Sequence, residues 1–492
     1  SNWEHITDTV LRNYLFNSVL LVFGTTLFSV IFGVSSAWMV TTYKFPGHKL
    51  FKWLLILPLA IPTYIAAYAY FDILDFFNPL LLWIRSNIGL LAMNRIDSFL
   101  VYLITTLVMS SVLYPYVYLL ARSSFESQGN HLVNVSRSLG YSTYESFWKI
   151  VLPLSRPAIV AGISLVIMET LSDYGAVKHF GIQTFTYGIF RTWLGMGDLT
   201  SALRLAVVLM AFTLSILYIE KKNRSNAQYS EKSVKRSSYE KINLNGMKSI
   251  FAIICCLLPL FFGFLFPVLR LGYWVLLSKS YFLELSIFRL SFNTIMLSFL
   301  TGTFTILISM FFVFSAKYFK NPIVKMTNKI AILGYSTPGA VIAMGTLILV
   351  GHISNMTGIV LSGTVFFLIF AYIVRFLAVA FQPIESGMEK NCDKLNDAAK
   401  LLGATPFYSF YKINMPILKN SVIAAGLLVF IDATKELPLT LILRPFNFET
   451  LATVTFDLSN QAQIIESSIP SMSIILLVVI PIIYLNRRIG MI

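Results

Sequence analysis

The chain has 492 residues, of which 56% are hydrophobic and only 12% are charged. Soluble globular chains are about 25% charged, so the composition excludes a soluble globular protein. A net charge of +15 would indicate nucleic-acid binding in a soluble chain. In a membrane protein it more often reflects cytoplasmic loops rich in Lys and Arg, and no nucleic-acid partner is predicted.

Long runs without Asp, Glu, Lys or Arg follow one another along the chain. A helix of about 20 residues crosses the ~30 Å hydrocarbon core of a bilayer. The pattern predicts about eleven transmembrane helices, near residues 15–43, 52–73, 98–121, 157–175, 199–219, 249–271, 290–316, 328–350, 357–381, 417–435 and 467–486. Segment 77–93 contains Arg85 and is predicted to lie at the membrane interface. The chain is therefore expected to be an all-α polytopic protein embedded in the lipid bilayer.

Alternate loops are basic, which sets the orientation. The basic stretches are 44–52, the linker 220–248, 317–329 and the C-terminal Arg487 and Arg488, whereas the expected loop 351–358 has no Lys or Arg. The positive-inside rule places the basic stretches in the cytoplasm. The linker is predicted to be a flexible tether. Residues 1–14 are then external, which together with the odd span count suggests that the first half lacks its first helix, through processing or truncation.

The sequence contains an internal repeat. Residues 139–153 read LGYSTYESFWKIVLP and residues 402–416 read LGATPFYSFYKINMP, with seven of fifteen positions identical and an offset of 263 residues. Both copies lie in basic loops, between corresponding spans of the two halves. Two halves of equal orientation form a parallel repeat, expected to pack about an axis along the membrane normal.

Each copy is predicted to be a short helix, a glycine turn and a second short helix. Gly140 and Gly403 permit a backbone conformation that other residues resist. Pro153 and Pro416 suit the first turn of the next membrane helix. A protruding helix pair can insert into a groove of another protein. The alternative is an ordinary amphipathic connector, and the presence of two copies favours docking.

Thiolate or histidine metal sites are not indicated. The three cysteines, Cys255, Cys256 and Cys392, have no CxxC spacing, and no two of the five histidines lie one helical turn apart. No metal site is firmly assigned. The chain also lacks a GxxxxGK[ST] sequence, so any ATP hydrolysis that drives it would occur in a separate subunit.

The duplicated loop resembles the EAA loop of binding-protein-dependent ABC importer permeases, in which it is the coupling helix that docks on the ATPase. Two fused copies resemble the ferric-iron permease subfamily. Four further strings agree: LPLAIPTYIAAYAY at 57–70, ETLSDYGAVKHFG at 169–181, STPGAVIAMG at 336–345 and KELPLTLILRPFNFETLAT at 435–453. In the first loop, Asn134, Val135 and Ser136 replace the acidic residue and two alanines of the family. The second loop, with Asp397, Ala398 and Ala399, is close to the pattern.

The resemblance implies two parallel-repeat, MetI-like permease domains of an ABC type I importer in a bacterial cytoplasmic (inner) membrane. They are expected at 1–219 and 249–492, joined by the cytoplasmic linker 220–248. It implies partner ATPase subunits, expected as a homodimer that binds ATP and Mg, and a periplasmic or extracellular solute-binding protein. The expected ATPase-docking residues are Ser136, Gly140, Pro153, Asp397, Ala398, Ala399, Gly403 and Pro416.

Two pairs of acidic residues follow the loops. Glu169 and Asp173 are four residues apart, as are Asp432 and Glu436, and the pairs are offset by the same 263 residues. The spacing predicts that each pair shares one helix face. Charges at membrane depth usually face an aqueous cavity or a partner, so these carboxylates are predicted to line the translocation pathway of a cation. Alternatively they serve the fold, with Lys435 pairing a neighbouring carboxylate.

The preferred function is the permease subunit, itself not an enzyme, of an ATP-driven importer, with ferric iron as cargo by resemblance. The alternatives are a permease for another small solute such as thiamine, an ion-gradient-driven secondary transporter, and a structural membrane scaffold. Arg444, in the external LRPFNF string, could contact the delivering protein or an anion, or fix its loop through a salt bridge.

Overall fold

We describe the chain from a computed structural model, for residues 2–126, 136, 140–225, 241–278, 286–318, 322–323, 326, 328, 331, 334, 337–391 and 393–489. These residues are predominantly helical. The strands among them are β1 (Tyr43–Lys44) and β2 (Ile242–Asn243), which pair in parallel. The prediction of an all-α polytopic membrane protein is confirmed.

Nine of the described helices are long and apolar enough to cross a membrane. They are Trp3–Thr42, Leu90–Ser124, Leu199–Ile216, Met247–Leu277, Ile287–Tyr318, Gly339–Thr357, Val365–Met388, Pro406–Thr434 and Ser468–Arg487. Two bent pairs raise the total to eleven if each is one span: His48–Ala60 with Thr63–Ala69, at 92°, and Thr143–Leu154 with Arg156–Ser172, at 68°. The predicted number of spans agrees with this upper total for the described residues.

The chain divides into two compact units, Ser1–Trp274 and Val275–Ile492. The helices that begin in the first unit are α1 (Asn2–His5), α2 (Leu11–Thr42), α3 (His48–Leu54), α4 (Thr63–Ala69), α5 (Asn78–Asn87), α6 (Leu90–Ser124), α7 (Thr143–Ser146), α8 (Leu152–Leu154), α9 (Arg156–Ser172), α10 (Gly175–His179), α11 (Phe185–Phe190), α12 (Leu199–Ser225), α13 (Met247–Leu260) and α14 (Phe266–Leu277). Short 3-10 turns occupy Leu57–Ala60 and Asp75–Phe77, and π-helical turns occupy Ile6–Val10, Phe147–Val151, Arg191–Gly195 and Phe261–Leu265.

Helices α2, α6 and α9 pack with their backbones close together. A Cβ built on Gly33 of α2 would lie 2.8 Å from a Val117 side-chain carbon and 2.9 Å from the Tyr118 nitrogen. A Cβ on Gly162 of α9 would lie 2.8 Å from the Val117 Cα. Because apolar surface gains little by leaving lipid, membrane helices associate through van der Waals packing and polar contacts. These glycines allow the close approach that such packing needs.

The helix Met247–Leu277 packs within the first unit, although the sequence repeat assigns it to the second half. A Cβ on Gly263 would lie 2.0 Å from the Ser111 carbonyl oxygen of α6, so the two backbones touch there. Arg270 forms an ion pair with Asp72 of the same unit. The predicted domain boundary after the linker rests on the repeat and stays a prediction, whereas the contacts group this helix with the first unit.

The end of the predicted linker is tied to the first basic loop. In the β1–β2 pair, Tyr43 faces Ile242 and Lys44 faces Asn243. Lys241 donates a hydrogen bond to the Val40 carbonyl oxygen at 2.6 Å, near the C-terminal end of α2, where a cation interacts favourably with the helix dipole. The expectation of a flexible tether throughout 220–248 is therefore wrong for its last residues, because backbone pairing and this contact hold them.

The second unit repeats the helical plan. Its helices are α15 (Ile287–Tyr318), α16 (Gly339–Thr357), α17 (Val365–Asn391), α18 (Asp393–Leu401), α19 (Pro406–Ser409), α20 (Met415–Thr434), α21 (Pro438–Leu443), α22 (Leu451–Asn460) and α23 (Ser468–Tyr484), with π-helical turns at Phe410–Asn414 and Leu485–Ile489. Helix α15 packs against α17 and α20. It buries a row of small polar side chains, Thr294, Ser298, Thr301, Thr305 and Ser309, which lie three or four residues apart and hence on one face.

Two local expectations have different outcomes. The predicted loop 351–358 is wrong, because α16 continues to Thr357 and ends only at Gly358, whose φ of 70° stops the helix. Segment 77–93 contains α5, a helix of ten residues. At 1.5 Å per residue, α5 is about 15 Å long and cannot cross a bilayer, in agreement with the interfacial prediction.

Candidate functional site: two loops and two helix breaks

The first duplicated loop turns at Gly140, which has φ of 89°. After the turn, Ser142 and Glu145 form a capping box: the Ser142 hydroxyl accepts from the Glu145 N–H at 3.2 Å, and the Glu145 carboxylate accepts from the Ser142 N–H at 3.0 Å. The N–H and hydroxyl of Ser142 hold the pKa of Glu145 below its usual value. This box begins α7 and fixes its direction.

The second loop has the same order of helix, glycine turn and helix, but a threonine side chain caps its second helix in place of the capping box. Helix α18 ends before Gly403, which has φ of 79°. The Thr405 hydroxyl then accepts from the Tyr408 N–H at 3.3 Å and begins α19. The predicted helix, glycine turn and second helix agree with the structure here. In the first loop, Ser136 is the one described residue of the preceding helix between 127 and 139.

Among the exposed aromatic side chains of each loop is a pair that lies one helical turn apart. They are Tyr144 and Trp148 in the first loop and Phe407 and Tyr411 in the second, all between 52% and 71% exposed. The members of the two pairs are related by the offset of 263 residues. Paired aromatic rings that are more than half exposed offer apolar contact area to a protein partner.

The small residues before the glycines behave differently from one another. Ser136 is buried, and its hydroxyl lies 2.5 Å from that of Ser146, so it holds the loop together. Ala399 is buried, whereas Ala398 is exposed and has only a small methyl side chain. Asn134, Val135 and the side chain of Asp397 lie outside the described part of the chain. The docking role of these positions stays a prediction.

The two prolines that end the loops are not equivalent. Pro416 lies in the first turn of α20, but the helix runs without a break from Pro406 to Thr434, so the prediction that Pro416 begins the membrane helix is wrong. Pro153 does not begin the membrane helix, because the chain bends by 68° at Ser155 before α9 starts. Pro157 explains the bend, since it lacks an N–H and its ring excludes the carbonyl four residues earlier. The second half has Asn420 at the corresponding position.

The prediction that each acidic pair shares one helix face is wrong. Helix α9 ends at Ser172, and Asp173 is extended, with φ of −67° and ψ of 133°. Helix α20 ends at Thr434, two residues before Glu436. The first carboxylate of each pair therefore belongs to the helix and the second to the break that follows it. Spacing alone could not reveal that the helix stops between them.

At the first break, Asp173 is buried and hydrogen-bonded. Its carboxylate accepts from the Thr63 hydroxyl of α4, from the Ala176 N–H at 2.9 Å and from the Val177 N–H at 3.2 Å. These backbone donors lie at the start of α10, where a carboxylate also interacts favourably with the helix dipole. Asp173 thus joins the start of α4 to the start of α10.

At the second break, Glu436 is buried in an ion pair. Its Oε2 lies 3.2 Å from Nε of Arg375 on α17, and its Oε1 accepts from the Leu439 N–H at 3.2 Å. A Cβ built on Gly339 would lie 2.5 Å from Arg375 Nη1 and 2.7 Å from Glu436 Oε1. The absence of a side chain at the start of α16 therefore leaves room for this pair.

The two remaining carboxylates lie on the helices. Asp432 forms an ion pair with Lys435 at 3.1 Å, as the structural alternative expected, and Glu169 is half-buried on α9. In the second unit both carboxylates are thus paired with cations. The arrangement offers less net negative charge to a cation there than the sequence pattern indicated, and the pathway role of all four stays a prediction.

Thr63, Gly339 and Arg375 were not identified from the sequence as neighbours of the buried carboxylates. Thr63 and Gly339 each follow a proline, Pro62 and Pro338, at the start of a helix, and they are 276 residues apart. They are therefore repeat-related partners of the two buried carboxylates. Arg375 carried its own signal, because it is the one charged residue in the apolar stretch 365–384 and intramembrane charges are usually functional or paired.

The repeat extends to individual hydrogen bonds. The Asn17 amide of α2 donates to the Gln183 carbonyl oxygen at 3.0 Å. The Asn293 amide of α15 donates to the Glu449 carbonyl oxygen at 2.9 Å. Because these bonds recur within each unit, the two halves share their architecture beyond the short loop motif.

A resident metal centre is not indicated by the described residues. Among them, no group of three or more His, Cys, Asp and Glu side chains is placed to hold a metal ion. Cys255 and Cys256 are free thiols, and Cys392 lies outside the described part of the chain.

The two helical units, the polar helix breaks and the solvent-facing loops fit a membrane permease. Residues 29–219 match the family model described as binding-protein-dependent transport system inner membrane component. Over 486 residues, the chain is 27% identical to the Fe(3+)-transport system permease protein FbpB 2 of Haemophilus influenzae, covering 97% of this chain and 90% of that protein. Residues 29–219 therefore match the domain of this transport family, and the predicted resemblance to its permeases and the predicted multi-pass location in the inner membrane are confirmed.

Other relatives match part of the chain. The sulfate transport system permease protein CysT of Escherichia coli is 30% identical over 178 residues, 36% of this chain and 61% of that protein. A probable molybdenum ABC transporter permease protein of Haloferax volcanii is 24% identical over 216 residues, 44% of this chain and 76% of that protein. The three relatives are named for three different cargoes: ferric iron, sulfate and molybdenum.

Proposed function

We propose that this permease imports ferric iron, delivered by an external solute-binding protein and driven by ATP hydrolysis in separate cytoplasmic subunits. The two ATPase subunits, which bind ATP and Mg, grip the loops around Gly140 and Gly403. Their closure on ATP switches the two halves between inward-open and outward-open arrangements, and hydrolysis resets them. In this scheme the loops transmit the force, and the nucleotide biases a two-state element.

The observation that carries the ATPase partnership is the pair of repeat-related aromatic surfaces. Each loop carries a repeat-related pair of exposed rings on a capped helix that begins shortly after a left-handed glycine turn. Rigid helices with exposed aromatic residues suit insertion into a groove of another protein. Two such helices in one chain fit a partner that itself has two equivalent copies, which supports an ATPase homodimer.

The proposed cargo rests on the similarity to FbpB 2, which extends over both halves. The sulfate and molybdenum permeases match only a part of this chain. The four carboxylates of the two acidic pairs are hard oxygen ligands, which suit hard cations. Because three of them are engaged in ion pairs or backbone capping, they would attract and pass a cation and would not hold it tightly, as transport requires.

Reconstitution tests cargo and energy source together. The permease is placed in liposomes with the ATPase and the binding protein encoded beside it, and uptake of labelled ferric iron is measured. We expect uptake that needs ATP, survives an ionophore and is not reduced by excess sulfate, molybdate or thiamine. Uptake of sulfate in place of iron would contradict the proposed cargo. Uptake that is independent of ATP but abolished by the ionophore would indicate a secondary transporter.

The left-handed turn at Gly403 leads to a second prediction, which concerns substitution of this glycine. Nothing lies within 4 Å of a Cβ built on Gly403, so a substitution there acts through the backbone alone. The left-handed conformation costs an ordinary residue roughly 1–2 kcal/mol, a factor of about 5 to 30 in the population of the native turn. Gly403→Val is therefore expected to lower ATP-dependent uptake and permease-stimulated ATP hydrolysis severalfold, while the variant still inserts into the membrane.

Gly403→Asn is the matched control, because Asn adopts this conformation more readily than β-branched residues. It should retain most of the uptake. Equal losses in both variants would show that the side chain, not the turn geometry, determines coupling.

A further inference from the structure

Phe446 is the most exposed large apolar side chain among the described residues, at 95%. It lies at a corner of the turn Pro445–Phe448, which is closed by a hydrogen bond from the Phe448 N–H to the Pro445 carbonyl oxygen at 3.1 Å. The following residue, Asn447, has φ of 63°, the conformation that a type II turn requires at its third position. A defined turn therefore presents this ring to solvent.

The turn is held on both sides by its own unit. Arg444 forms an ion pair with Asp457 of α22 at 3.0 Å, which is the loop-fixing salt bridge considered for Arg444 from the sequence. The Asn293 amide of α15 holds the Glu449 carbonyl oxygen at 2.9 Å. Because the loop is already fixed before binding, little of its conformational entropy is lost when a partner binds Phe446.

The first unit places the corresponding ring in a different turn, the C-terminal cap of α10, where the Ile182 N–H donates to the Val177 carbonyl oxygen at 2.9 Å and the Gly181 N–H donates to the Lys178 carbonyl oxygen at 3.2 Å. Counting from the paired asparagine contacts, Phe180 and Gly181 correspond to Phe446 and Asn447, and Gly181 also has positive φ, 72°. Phe180 is only 7% exposed and packs against the His179 ring, with centroids 5.3 Å apart. The two units thus share a positive φ at this position, but the aromatic residue before it is buried in the first unit and exposed in the second.

Exposed polar and charged residues lie near Phe446, which argues against burial of this turn in lipid. Arg289, Asn447 and Glu449 beside it are exposed, and charged groups are costly within hydrocarbon. Arg289 and Lys317 lie near opposite ends of α15, 28 residues or about 42 Å apart. The turn is therefore at the end of the bundle away from the basic loops, on the side to which cargo would be delivered.

We infer that Phe446 is the anchor by which the external solute-binding protein docks on the second half of the permease. This inference rests on the proposed function, because it assigns a contact to the delivering protein. An exposed aromatic ring with a polar rim is the usual form of an interface hot spot. The partner surface that fits it is an apolar pocket edged by polar groups. The corresponding residue of the first half, Phe180, is buried, so this contact belongs to the second half.

Binding measurements test the anchor directly. The permease is placed in nanodiscs, and the affinity of the solute-binding protein that supports uptake in liposomes is measured by surface plasmon resonance. Phe446→Ala is expected to raise Kd by about tenfold or more, the loss typical of a hot-spot residue, and Phe446→Tyr is expected to restore binding. Phe311→Ala, an exposed ring near the opposite end of α15, should leave Kd within about twofold of the wild-type value.

A spin label distinguishes the protein partner from lipid. In a chain whose three cysteines are replaced by serine, Phe446→Cys carries a nitroxide. Collisions with a water-soluble nickel chelate should exceed those with oxygen and should fall when the binding protein is added. Dominant oxygen collisions would mean that lipid covers the ring and would overturn the inference.

The two proposals fail in different ways. Absence of ATP-dependent uptake by the wild-type system would refute the proposed function. Normal ATP-dependent uptake together with unchanged Kd for Phe446→Ala would refute the anchor alone.

Discussion

Arg375→Met is expected to lower the stability of the permease by about 3–5 kcal/mol, the usual cost of removing one partner of a buried ion pair. The carboxylate of Glu436 would remain buried, and its link from α17 to the second helix break would be lost. Thermal unfolding of the detergent-solubilised protein measures the loss. We expect ATP-dependent uptake to fall with it, because this break connects three helices of the second unit.

The double variant Arg375→Met with Glu436→Leu is the control, because an apolar pair of similar volume often replaces a buried ion pair at little cost. It should recover most of the stability. Asp432→Asn should have a smaller effect than Arg375→Met, since the Asp432 and Lys435 side chains are each 15% exposed against 6–7% for the buried pair. If the double variant is as unstable as the single one, the charge on Glu436 is not the cause.

Gly263→Val is expected to displace the helix Met247–Leu277 from the first unit. The added side chain would begin 2.0 Å from the Ser111 carbonyl oxygen, and a backbone group cannot rotate away as a side chain can. Overpacking of this kind costs typically 1–3 kcal/mol, and more where the backbone must move. Disulfide cross-linking of Tyr70→Cys with Phe266→Cys, whose native rings stack at 4.7 Å between centroids, should report the displacement as a loss of cross-linked product.

Gly351→Ala supplies the comparison. Gly351 lies inside α16, and a Cβ built on it would have no neighbouring atom within 4 Å. Because Gly is about 0.8–1.0 kcal/mol less favourable than Ala in a helix interior, this variant should be as stable as the wild type or more so. An efficient cross-link in the Gly263→Val background would show that α6 and the helix yield without separating.

The membrane spans and the duplicated loops could be predicted because their signals are local. A charge-free run long enough to cross a bilayer needs no tertiary information, and the glycines at 140 and 403 occupy turns with positive φ. The helix breaks were not predictable in the same way. Spacing places Asp173 and Glu436 one turn beyond another carboxylate, and of the two helix ends only that of α20 has a proline signal, because the Pro438 ring excludes the Thr434 carbonyl.

The partners of the buried carboxylates lie far away along the chain. Thr63 is 110 residues before Asp173, and Arg375 is 61 residues before Glu436. Each pair forms only when separate helices are brought together. The grouping of Met247–Leu277 with the first unit is likewise a property of packing, because its sequence is apolar and fits either half.

The bend at Ser155 gives the two loops unequal mechanical connections to the membrane. From Pro406 to Thr434 the second loop continues into its span as one helix of 29 residues, which would act as a stiff rod. The corresponding path in the first half contains a 68° elbow, so part of any push on Trp148 would be absorbed as rotation at the elbow. Under the proposed function, identical strokes of two ATPase subunits would produce a larger displacement in the second half than in the first.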